Sequence, residues 1–358
     1  MFGADRRIVL PRPHSAAKRW ALSAGAATAT SGRRLRVVDI VRDTADAVTL
    51  HLACIDGAPL PFKAGQYLTH CFEVDGQSLK RAYSISAAEG QPLACTIKAV
   101  AQGAASQYAL NDLKVGDEYQ ALGPSGDFTL PADGQCPLAF LAAGSGITPV
   151  ISLIETALRQ NPARSIRLVY ASRRQGQIIF ESRLRALVLA HPSLQIVHVL
   201  SQPTKGWKGE RGRLDGPHAA ALLAAPTDAE VFLCGPAELM DATAGALKLP
   251  AAQIHRERFL AAPRHTRALP TSPQEIQFRR SGKSATQRPG ESLLQAGLRA
   301  GIALPFSCTV GGCAACKLKV LDGEVQLDEP NCLSPEERAE GYTLSCSSYC
   351  LGPVVIDA

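Results

Sequence analysis

Hydrophobic positions along the chain follow two different periods, and the change between them divides the sequence. In the first part, short apolar or alternating runs are separated by turn residues; they lie at 35–41, 47–53, 66–72, 81–86 and 94–100. Short strands at this spacing are typical of a small antiparallel barrel. We therefore expect a β-barrel domain over residues 35–132.

In the second part, segments with strand and helix patterns alternate. Strands are predicted at 139–143, 166–171, 195–200, 230–234 and 254–258, and helices at 149–159, 179–189, 216–223 and 237–247. Such alternation predicts an α/β domain on a parallel sheet with right-handed crossovers, here over residues 133–260. Its ligands should bind at the carboxyl ends of the strands.

A third module follows a stretch without periodicity. Residues 261–273 are rich in Pro, Ala, Arg and Thr and are interpreted as an interdomain linker. Residues 274–358 hold two short strands, a helix at 292–299, a cysteine-rich loop and terminal strands near Tyr342 and Val354. The predicted fold class is multidomain: an antiparallel β-barrel, an α/β parallel-sheet domain and an α+β domain.

Length and charge agree with this division. The chain has 358 residues, whereas single domains cluster at roughly 100 to 150 residues. The formal charge of +6 is concentrated at the start, because residues 1–36 hold eight Lys and Arg against Asp5. The body has no basic stripe with interleaved aromatics, so we expect no nucleic-acid partner.

Two segments bear on cellular location. Residues 1–34 lack an apolar core with a cleavage site and are interpreted as a basic, disordered tail; their Arg, Ser and Ala content leaves a transit peptide as the alternative. The uncharged run 137–154 is long enough for a membrane span, but Gly144, Gly146 and Pro149 interrupt it. No membrane span is expected. Eleven cysteines without a secretory signal indicate a reducing compartment, so a cytoplasmic protein is predicted.

Four cysteines carry the strongest chemical signal. Cys308, Cys313 and Cys316 form a C-x4-C-x2-C triplet, and Cys346 follows after 29 residues. This is the plant-type [2Fe-2S] spacing, so these four thiolates are the predicted cluster ligands. A structural zinc site usually pairs two short cysteine knuckles and fits poorly. Cys332 and Cys350 are competing ligand candidates with less suitable spacing.

A glycine turn in the second domain indicates a phosphate site. The first predicted strand runs into Gly144-Ser145-Gly146-Ile147-Thr148-Pro149. Thr148 is expected to cap the following helix, with Pro149 at its first position. Backbone amides at such a helix start can approach a pyrophosphate, which makes Gly144, Gly146 and Thr148 candidate nucleotide-binding residues.

Two further strand ends are candidate parts of the same site. Ser172, Arg173 and Arg174 follow the second strand; the two arginines suit an adenosine 2′-phosphate, although solvated arginines are an equally good interpretation. No acidic residue follows that strand directly, which favours NADPH over NADH. Cys234-Gly235-Pro236 ends the fourth strand, where a nicotinamide would lie; a buried cysteine before a turn is the alternative.

The barrel contains one candidate flavin strand. Alternation along Arg81-Ala82-Tyr83-Ser84 places Arg81 and Tyr83 on one face and Ser84 on the other. An Arg can bind a flavin phosphate, a Tyr can stack on the ring and a Ser can bond its edge. Taken alone, this is an ordinary strand.

The order of these motifs resembles the ferredoxin-NADP reductase superfamily fused to a C-terminal plant-type ferredoxin. It is most similar to the reductases of ring-1,2-phenylacetyl-CoA epoxidase and steroid 9-alpha-hydroxylase systems. The resemblance covers residues 35–358 and includes further segments, namely Gly65-Gln66-Tyr67, Gly103-Ala104-Ala105-Ser106, Gly123 to Phe128, Ile179-Phe180-Glu181, Glu257-Arg258-Phe259, Leu304 to Cys308 and Gly341 to Cys346.

The resemblance implies the roles of the candidate residues. FAD would be bound by Arg81, Tyr83, Ser84, Lys98, Gly103 and Ser106, and the nicotinamide nucleotide by Gly144, Gly146, Thr148, Ser172, Arg173, Cys234, Gly235 and Pro236. Ser84 and Cys234 would act at the hydride-transfer centre. The third module would be a β-grasp ferredoxin domain. The expected cofactors are FAD, a [2Fe-2S] cluster and NADPH, with NADH and FMN as alternatives.

The predicted function is the reductase component of a multicomponent oxygenase, most similar to a phenylacetyl-CoA epoxidase system. The alternatives are a steroid or Rieske-type oxygenase reductase and, in another class, an iron-sulfur redox sensor or electron-storage protein. The partner would be an oxygenase or hydroxylase component that accepts single electrons. Seven acids between residues 322 and 340 suggest a docking surface for it, or simply a solvated loop.

Overall fold

The computed structural model describes residues 32–132, 135–259, 267–306, 308–329 and 331–358. The change in hydrophobic period coincides with a change from one sheet to the next. Most of the expected tail, residues 1–31, and residues 261–266 of the expected linker lie outside the described residues. Arg33 and Arg34, placed in the tail by the sequence, belong to the first strand.

The first sheet is a six-stranded antiparallel barrel in the order β4-β3-β6-β1-β2-β5. A bridge between Ile85 and Cys95 joins its two edge strands. Inward residues such as Leu35, Leu50 and Ile97 are fully buried. The strands are β1 (Arg33–Thr44), β2 (Ala47–Cys54), β3 (Tyr67–Val74), β4 (Gln77–Ser84), β5 (Ala94–Lys98) and β6 (Glu118–Ser125), and helix α1 (Ala104–Asn111) follows β5.

The second sheet is parallel, in the order β10-β9-β8-β7-β11-β12. Strands β8, β9 and β10 lie on one side of β7, and β11 and β12 lie on its other side. The strand order therefore reverses between β7 and β11. Its strands are β7 (Leu138–Ala143), β8 (Ile166–Ser172), β9 (Leu194–Leu200), β10 (Glu210–Arg211), β11 (Glu230–Cys234) and β12 (Ile254–Glu257). Its helices are α2 (Ile147–Gln160), α3 (Glu181–Ala190), α4 (Gly216–Leu223) and α5 (Ala237–Ala246).

The third unit is a mixed five-stranded sheet in the order β14-β13-β19-β15-β17 with a separate two-stranded ribbon. Its first and last strands, β13 and β19, are parallel neighbours. Its strands are β13 (Gln274–Phe278), β14 (Lys283–Gln287), β15 (Lys317–Asp322), β16 (Val325–Leu327), β17 (Tyr342–Leu344), β18 (Ser348–Cys350) and β19 (Val354–Ile356). Its helices are α6 (Leu293–Arg299), which begins with a Ser292 capping box, and α7 (Pro335–Ala339).

The barrel and the parallel-sheet domain share a core and a set of polar contacts. Phe128 of the barrel packs edge-on against Phe232 of β11, with 5.3 Å between ring centroids. Arg183 of α3 donates to the backbone oxygen of Ser86 at 3.0 Å and is itself bound by Glu155 at 2.7 Å. These contacts reach the backbone directly after β4, and they fix it against the second domain.

None of the helices in the described part of the chain has the length and apolar character needed to span a bilayer. The uncharged run that raised this interpretation contains β7, a glycine turn and the start of α2.

Gly65 offers a test of the packing at the edge of the barrel, where it meets Phe128 of the same domain and Leu153 of the second domain. Its φ is +86°, and a Cβ there would lie 1.9 Å from the Phe128 oxygen and 3.1 Å from Leu153 of α2. Gly65→Ala should therefore lower the free energy of unfolding by about 3 kcal/mol or more. Gly57→Ala is the matched control, because Gly57 has a φ of +73° but nothing within 4 Å of its Cβ position.

The control substitution should cost only about 1 kcal/mol, the penalty of a left-handed backbone alone. Denaturant unfolding of both variants beside the wild type measures the difference. Equal losses for the two variants would contradict the close packing at Gly65.

Candidate functional site

The four cysteines of the predicted cluster site face one another. The Cys308 thiol is in hydrogen-bonding contact with those of Cys313 and Cys346, and Cys316 is in contact with Cys346. These contacts lower the pKa of Cys308, with the larger effect from Cys313. The tight loop and the segment after β17 therefore bring together all four residues that the spacing selected.

Backbone amides of the loop point toward these sulfurs. Val310 and Gly312 donate to Cys308 Sγ at 3.4 and 3.3 Å, and Gly311 donates to Cys346 Sγ at 3.3 Å. Gly311 has a φ of +74°, which glycine adopts without steric cost. Amides in such positions stabilise negative charge on thiolates and tune the potential of a cluster.

The donor set fits a two-iron centre. Among the described residues, no three His, Cys, Asp or Glu side chains are grouped as ligands of a single metal ion. A [2Fe-2S] cluster instead needs four thiolates shared between two irons. Four thiols joined by contacts between Cys313 and Cys308, Cys308 and Cys346, and Cys346 and Cys316, with amides directed at the sulfurs, meet that requirement.

The two competing cysteines are placed differently. Cys332 is half-buried, and its backbone amide donates to the Gly311 oxygen at 3.0 Å. It therefore stabilises the cluster loop through its backbone. Cys350 lies in β18, and its amide is bound by Gln287 at 2.7 Å within the core of the third unit. Neither thiol takes part in the contacts that join the quartet.

A second candidate site lies where the order of the parallel strands reverses. A Cβ on Gly146 would lie 2.0 Å from the Cys234 oxygen, and one on Gly235 would lie 2.9 Å from Ala143 Cβ. The turns after β7 and β11 therefore touch backbone to backbone. Open α/β sheets bind ligands in the crevice at this point.

The Gly144 turn leaves room for a phosphate. Gly144 has a φ of +56°, and the space beside it is open within 4 Å. The buried Tyr170 hydroxyl donates to the Gly144 oxygen at 3.1 Å and accepts from the Ile179 amide at 3.3 Å, which holds the turn in place. The first turn of α2 contains no acidic side chain, so its amide end is suited to an anion.

The predicted cap at Thr148 is wrong. A short 3₁₀ turn at Gly144–Gly146 starts the winding early, so α2 begins at Ile147 and Gly146 takes the capping position. Thr148 lies inside the helix, where its hydroxyl donates to the Ser145 oxygen at 3.0 Å. Its role at the nucleotide site stays a prediction.

Glu257 is an unexpected neighbour of Cys234. The two residues are paired across β11 and β12. The residue is half-buried, but its Oε2 is shielded from solvent and has no hydrogen-bond partner among the described residues. Burial raises the pKa of Glu257 to about 8. Burial, and then the Glu257 charge, raise the pKa of Cys234.

The predicted 2′-phosphate residues lie at the carboxyl end of β8. Ser172 is the last residue of the strand, and Arg173 and Arg174 are exposed beyond it. Arg174 is bound to Gln202 at 3.2 Å. Arg173 takes part in no ion pair between described residues.

The flavin strand places its predicted residues on β4. Ser84 is buried, and its hydroxyl has no hydrogen-bond partner among the described residues. A buried hydroxyl in this state suits a polar ligand atom. Tyr83 packs edge-on against buried His70 at 5.5 Å, and burial raises the pKa of Tyr83 to about 12. The Arg81 guanidinium donates to the Lys80 oxygen at 2.6 Å.

Three other predicted flavin residues lie around the start of α1. The Ser106 hydroxyl accepts from the Val100 amide at 3.2 Å and donates to the Gly103 oxygen at 2.9 Å, which closes the loop before the helix. Lys98 forms an ion pair with Asp46 at 3.5 Å. A direct contact of these residues with FAD stays a prediction.

The flavin and cluster segments meet directly. Thr69 of β3 lies opposite Ala82 of β4, and its hydroxyl donates to the Cys308 oxygen at 3.1 Å. Sequence reasoning missed Thr69, Arg183, Tyr170 and Glu257 as members of the site. Thr69, Arg183 and Tyr170 have no sequence signal that separates them from ordinary strand or helix residues. Glu257 was noted only as part of Glu257-Arg258-Phe259, a segment that matches the family.

Comparison with known families gives the class of protein. Residues 35–130 match the oxidoreductase FAD-binding domain, residues 140–245 match the oxidoreductase NAD-binding domain, and residues 276–351 match the 2Fe-2S iron-sulfur cluster binding domain. The chain is thus an oxidoreductase whose cofactors are FAD, a nicotinamide nucleotide and a [2Fe-2S] cluster.

Individual relatives narrow this class. The chain is 34% identical over 353 residues to one subunit of the 1,2-phenylacetyl-CoA epoxidase of Escherichia coli (strain K12), covering 92% of this chain and 98% of that one. It is 32% identical to a 3-ketosteroid-9-alpha-monooxygenase ferredoxin reductase component of Mycobacterium tuberculosis, covering 88% and 92%. The solved structure of phthalate dioxygenase reductase aligns with a TM-score of 0.65 at 25% identity, covering 91% and 98%.

The chain therefore belongs to the family of iron-sulfur flavoprotein reductases that serve multicomponent oxygenases. The resemblance, the three-part fold class and the cofactor classes predicted from the sequence are confirmed. The individual ligand residues and the choice of NADPH stay predictions.

The cysteine assignment predicts which thiols the cluster needs. Cys346→Ser should abolish or strongly deplete the cluster, because its thiol contacts those of Cys308 and Cys316. Cys332→Ser and Cys350→Ser should keep about two irons per chain. Iron analysis and visible absorbance of the purified variants measure this. A Cys346→Ser protein with normal iron and spectrum would refute the assignment.

The Glu257 carboxyl predicts a pH-dependent stability. The unfolded chain releases this proton near its ordinary pKa of 4.5, whereas the folded chain keeps it up to about pH 8. Glu257 therefore lowers the free energy of unfolding progressively as pH rises through this window, and the change stops above it. Glu257→Gln lacks this contribution.

The stability of Glu257→Gln relative to wild type should therefore rise between about pH 5 and pH 8. Denaturant unfolding at several pH values measures it, with Glu73→Gln as a control on an exposed residue of β3. A difference between wild type and Glu257→Gln that stays constant over this range would contradict the raised pKa.

Proposed function

We propose that this protein is the reductase of a phenylacetyl-CoA epoxidase-type system and passes electrons from NADPH through FAD and the [2Fe-2S] cluster to an oxygenase component. The carrying observation is the contact between the two redox segments, in which the Thr69 hydroxyl of the flavin barrel binds the Cys308 backbone. Similarity along 98% of the epoxidase subunit supports the choice of partner system.

Different residues of the chain would bind the nucleotide and the flavin. The Gly144 turn and the start of α2 would bind the nucleotide pyrophosphate, and the backbone contact at Gly146 would hold the Cys234 edge beside it. The unpartnered Ser84 hydroxyl would orient the flavin edge. Bound FAD would supply the conversion of a two-electron hydride donor into a one-electron donor for the cluster.

Glu257 and Cys234 would keep the hydride-transfer crevice neutral. Burial raises the pKa of both groups, so near neutral pH each keeps its proton. A neutral pair avoids repelling the nucleotide phosphates and holds a proton next to the nicotinamide position.

Only some of the seven acids between residues 322 and 340 are available to form a docking surface. Three are bound by basic residues: Glu324 by Arg267, Glu329 by Arg338, and Glu337 by Lys317. Asp328 is buried. Asp322, Glu336 and Glu340 are exposed and stand outside the ion pairs among the described residues. We assign these three to the partner surface.

Arg173 is proposed to select NADPH. Arg173→Ser should raise KM for NADPH roughly tenfold to a hundredfold, the effect of removing a charge-assisted hydrogen bond, while KM for NADH stays near its wild-type value. Arg185→Ser on the exposed side of α3 is the matched control. Steady-state kinetics with both nucleotides measure the change, and an equal effect on both would contradict the assignment.

The partner assignment is tested by reconstitution. The protein, NADPH and the oxygenase subunits of a phenylacetyl-CoA epoxidase should together form the ring epoxide, with turnover that falls as salt screens the acidic surface. A steroid 9-alpha-hydroxylase oxygenase is the comparison partner. Efficient coupling to the steroid oxygenase, with none to the epoxidase, would replace the proposed system.

A further inference from the structure

The contact between Thr69 and Cys308 crosses from the flavin barrel to the cluster loop. Thr69 has 1% and Cys308 2% of its surface exposed, so the hydrogen bond at 3.1 Å is shielded from water. A buried carbonyl without a donor is costly, and the hydroxyl of Thr69 meets this need for Cys308.

The cluster side of this bond is held firmly. The Cys308 amide donates to Cys313 Sγ at 3.4 Å, and the amides of Val310 and Gly312 donate to Cys308 Sγ. At the far end of the loop, the Ser345 amide donates to the Cys316 oxygen at 3.0 Å. Thr69 thus binds a loop that is held by these hydrogen bonds within the third unit.

The flavin side is equally well defined. The register of β3 and β4 places Thr69 opposite Ala82, so its side chain lies on the same face of the sheet as that of Ser84. Threonine is β-branched, which restricts χ1 and suits a strand. Thr69 therefore lies on the strand paired with β4, which carries the predicted flavin residues Arg81, Tyr83 and Ser84.

We propose that Thr69 is a positioning residue that holds the cluster loop against the flavin barrel and thereby sets the rate of electron transfer between them. This inference rests on the proposed function. In the step concerned, FAD reduced by a hydride from the nucleotide would supply one electron, which would convert one ferric ion of the cluster to ferrous. Thr69 exchanges neither electrons nor protons in it.

The experiment compares Thr69→Val, which keeps the shape and removes the donor, with Thr69→Ser, which keeps the donor. Thr286→Val is the matched control, since this threonine of β14 bonds Glu275 on the surface of the third unit at 3.1 Å. Each full-length holoprotein is mixed anaerobically with NADPH in a stopped-flow instrument. Flavin bleaching and cluster reduction are followed separately, and iron content is measured beforehand.

Thr69→Val should reduce its cluster roughly two- to tenfold more slowly, the effect of one net hydrogen bond on the docked population. Its flavin should be reduced by NADPH at the wild-type rate, and its iron content should be normal. Thr69→Ser should restore most of the rate of cluster reduction, and Thr286→Val should match the wild type.

Three results would overturn the inference. Equal rates of cluster reduction in all variants would show that the bond does not position the loop. Slower flavin reduction would place Thr69 at the hydride step, and loss of iron from Thr69→Val would make it a support of the cluster itself. Failure of wild-type protein to reduce its flavin or cluster with NADPH would instead refute the proposed function.

Discussion

Backbone carbonyls at two domain boundaries depend on side-chain donors from the neighbouring domain. Arg183 of the parallel-sheet domain binds the Ser86 oxygen just after the flavin strand, and Thr69 of the barrel binds the Cys308 oxygen of the cluster loop. Because a buried carbonyl without a donor is costly, each contact favours one docked arrangement over a loose tether. The barrel is therefore bound to both neighbouring domains, through the segment after β4 on one side and through β3 on the other.

A second close contact lies within the parallel-sheet domain, between the turns after β7 and β11. The turns after β7 and β11 approach so closely that a Cβ at Gly146 has no room beside Cys234. This contact joins the Gly144 turn to the end of β11, and the Tyr170 hydroxyl donates to the Gly144 oxygen. Burial also raises the pKa of both Cys234 and Glu257 at this edge of the sheet.

Residues with local signals could be predicted from the sequence. The C-x4-C-x2-C spacing identified the thiols that the fold brings together, and alternating strands and helices identified the parallel sheet. Helix α1 was not predicted, because it is short and its hydrophobic pattern is weak. The 3₁₀ turn that places Thr148 inside α2 instead of at its cap was not predicted either. Thr69 and Arg183 were missed because their roles depend on partners that are 239 and 97 residues away in the chain.

In the proposed sequence, electrons pass from nucleotide to flavin to cluster in that order, through one docked assembly. Protein that keeps its cluster but has been stripped of flavin tests this order when it is mixed with NADPH without oxygen. We expect the cluster to stay oxidised and to become reducible once FAD is restored. Reduction of the cluster at the normal rate without flavin would contradict it.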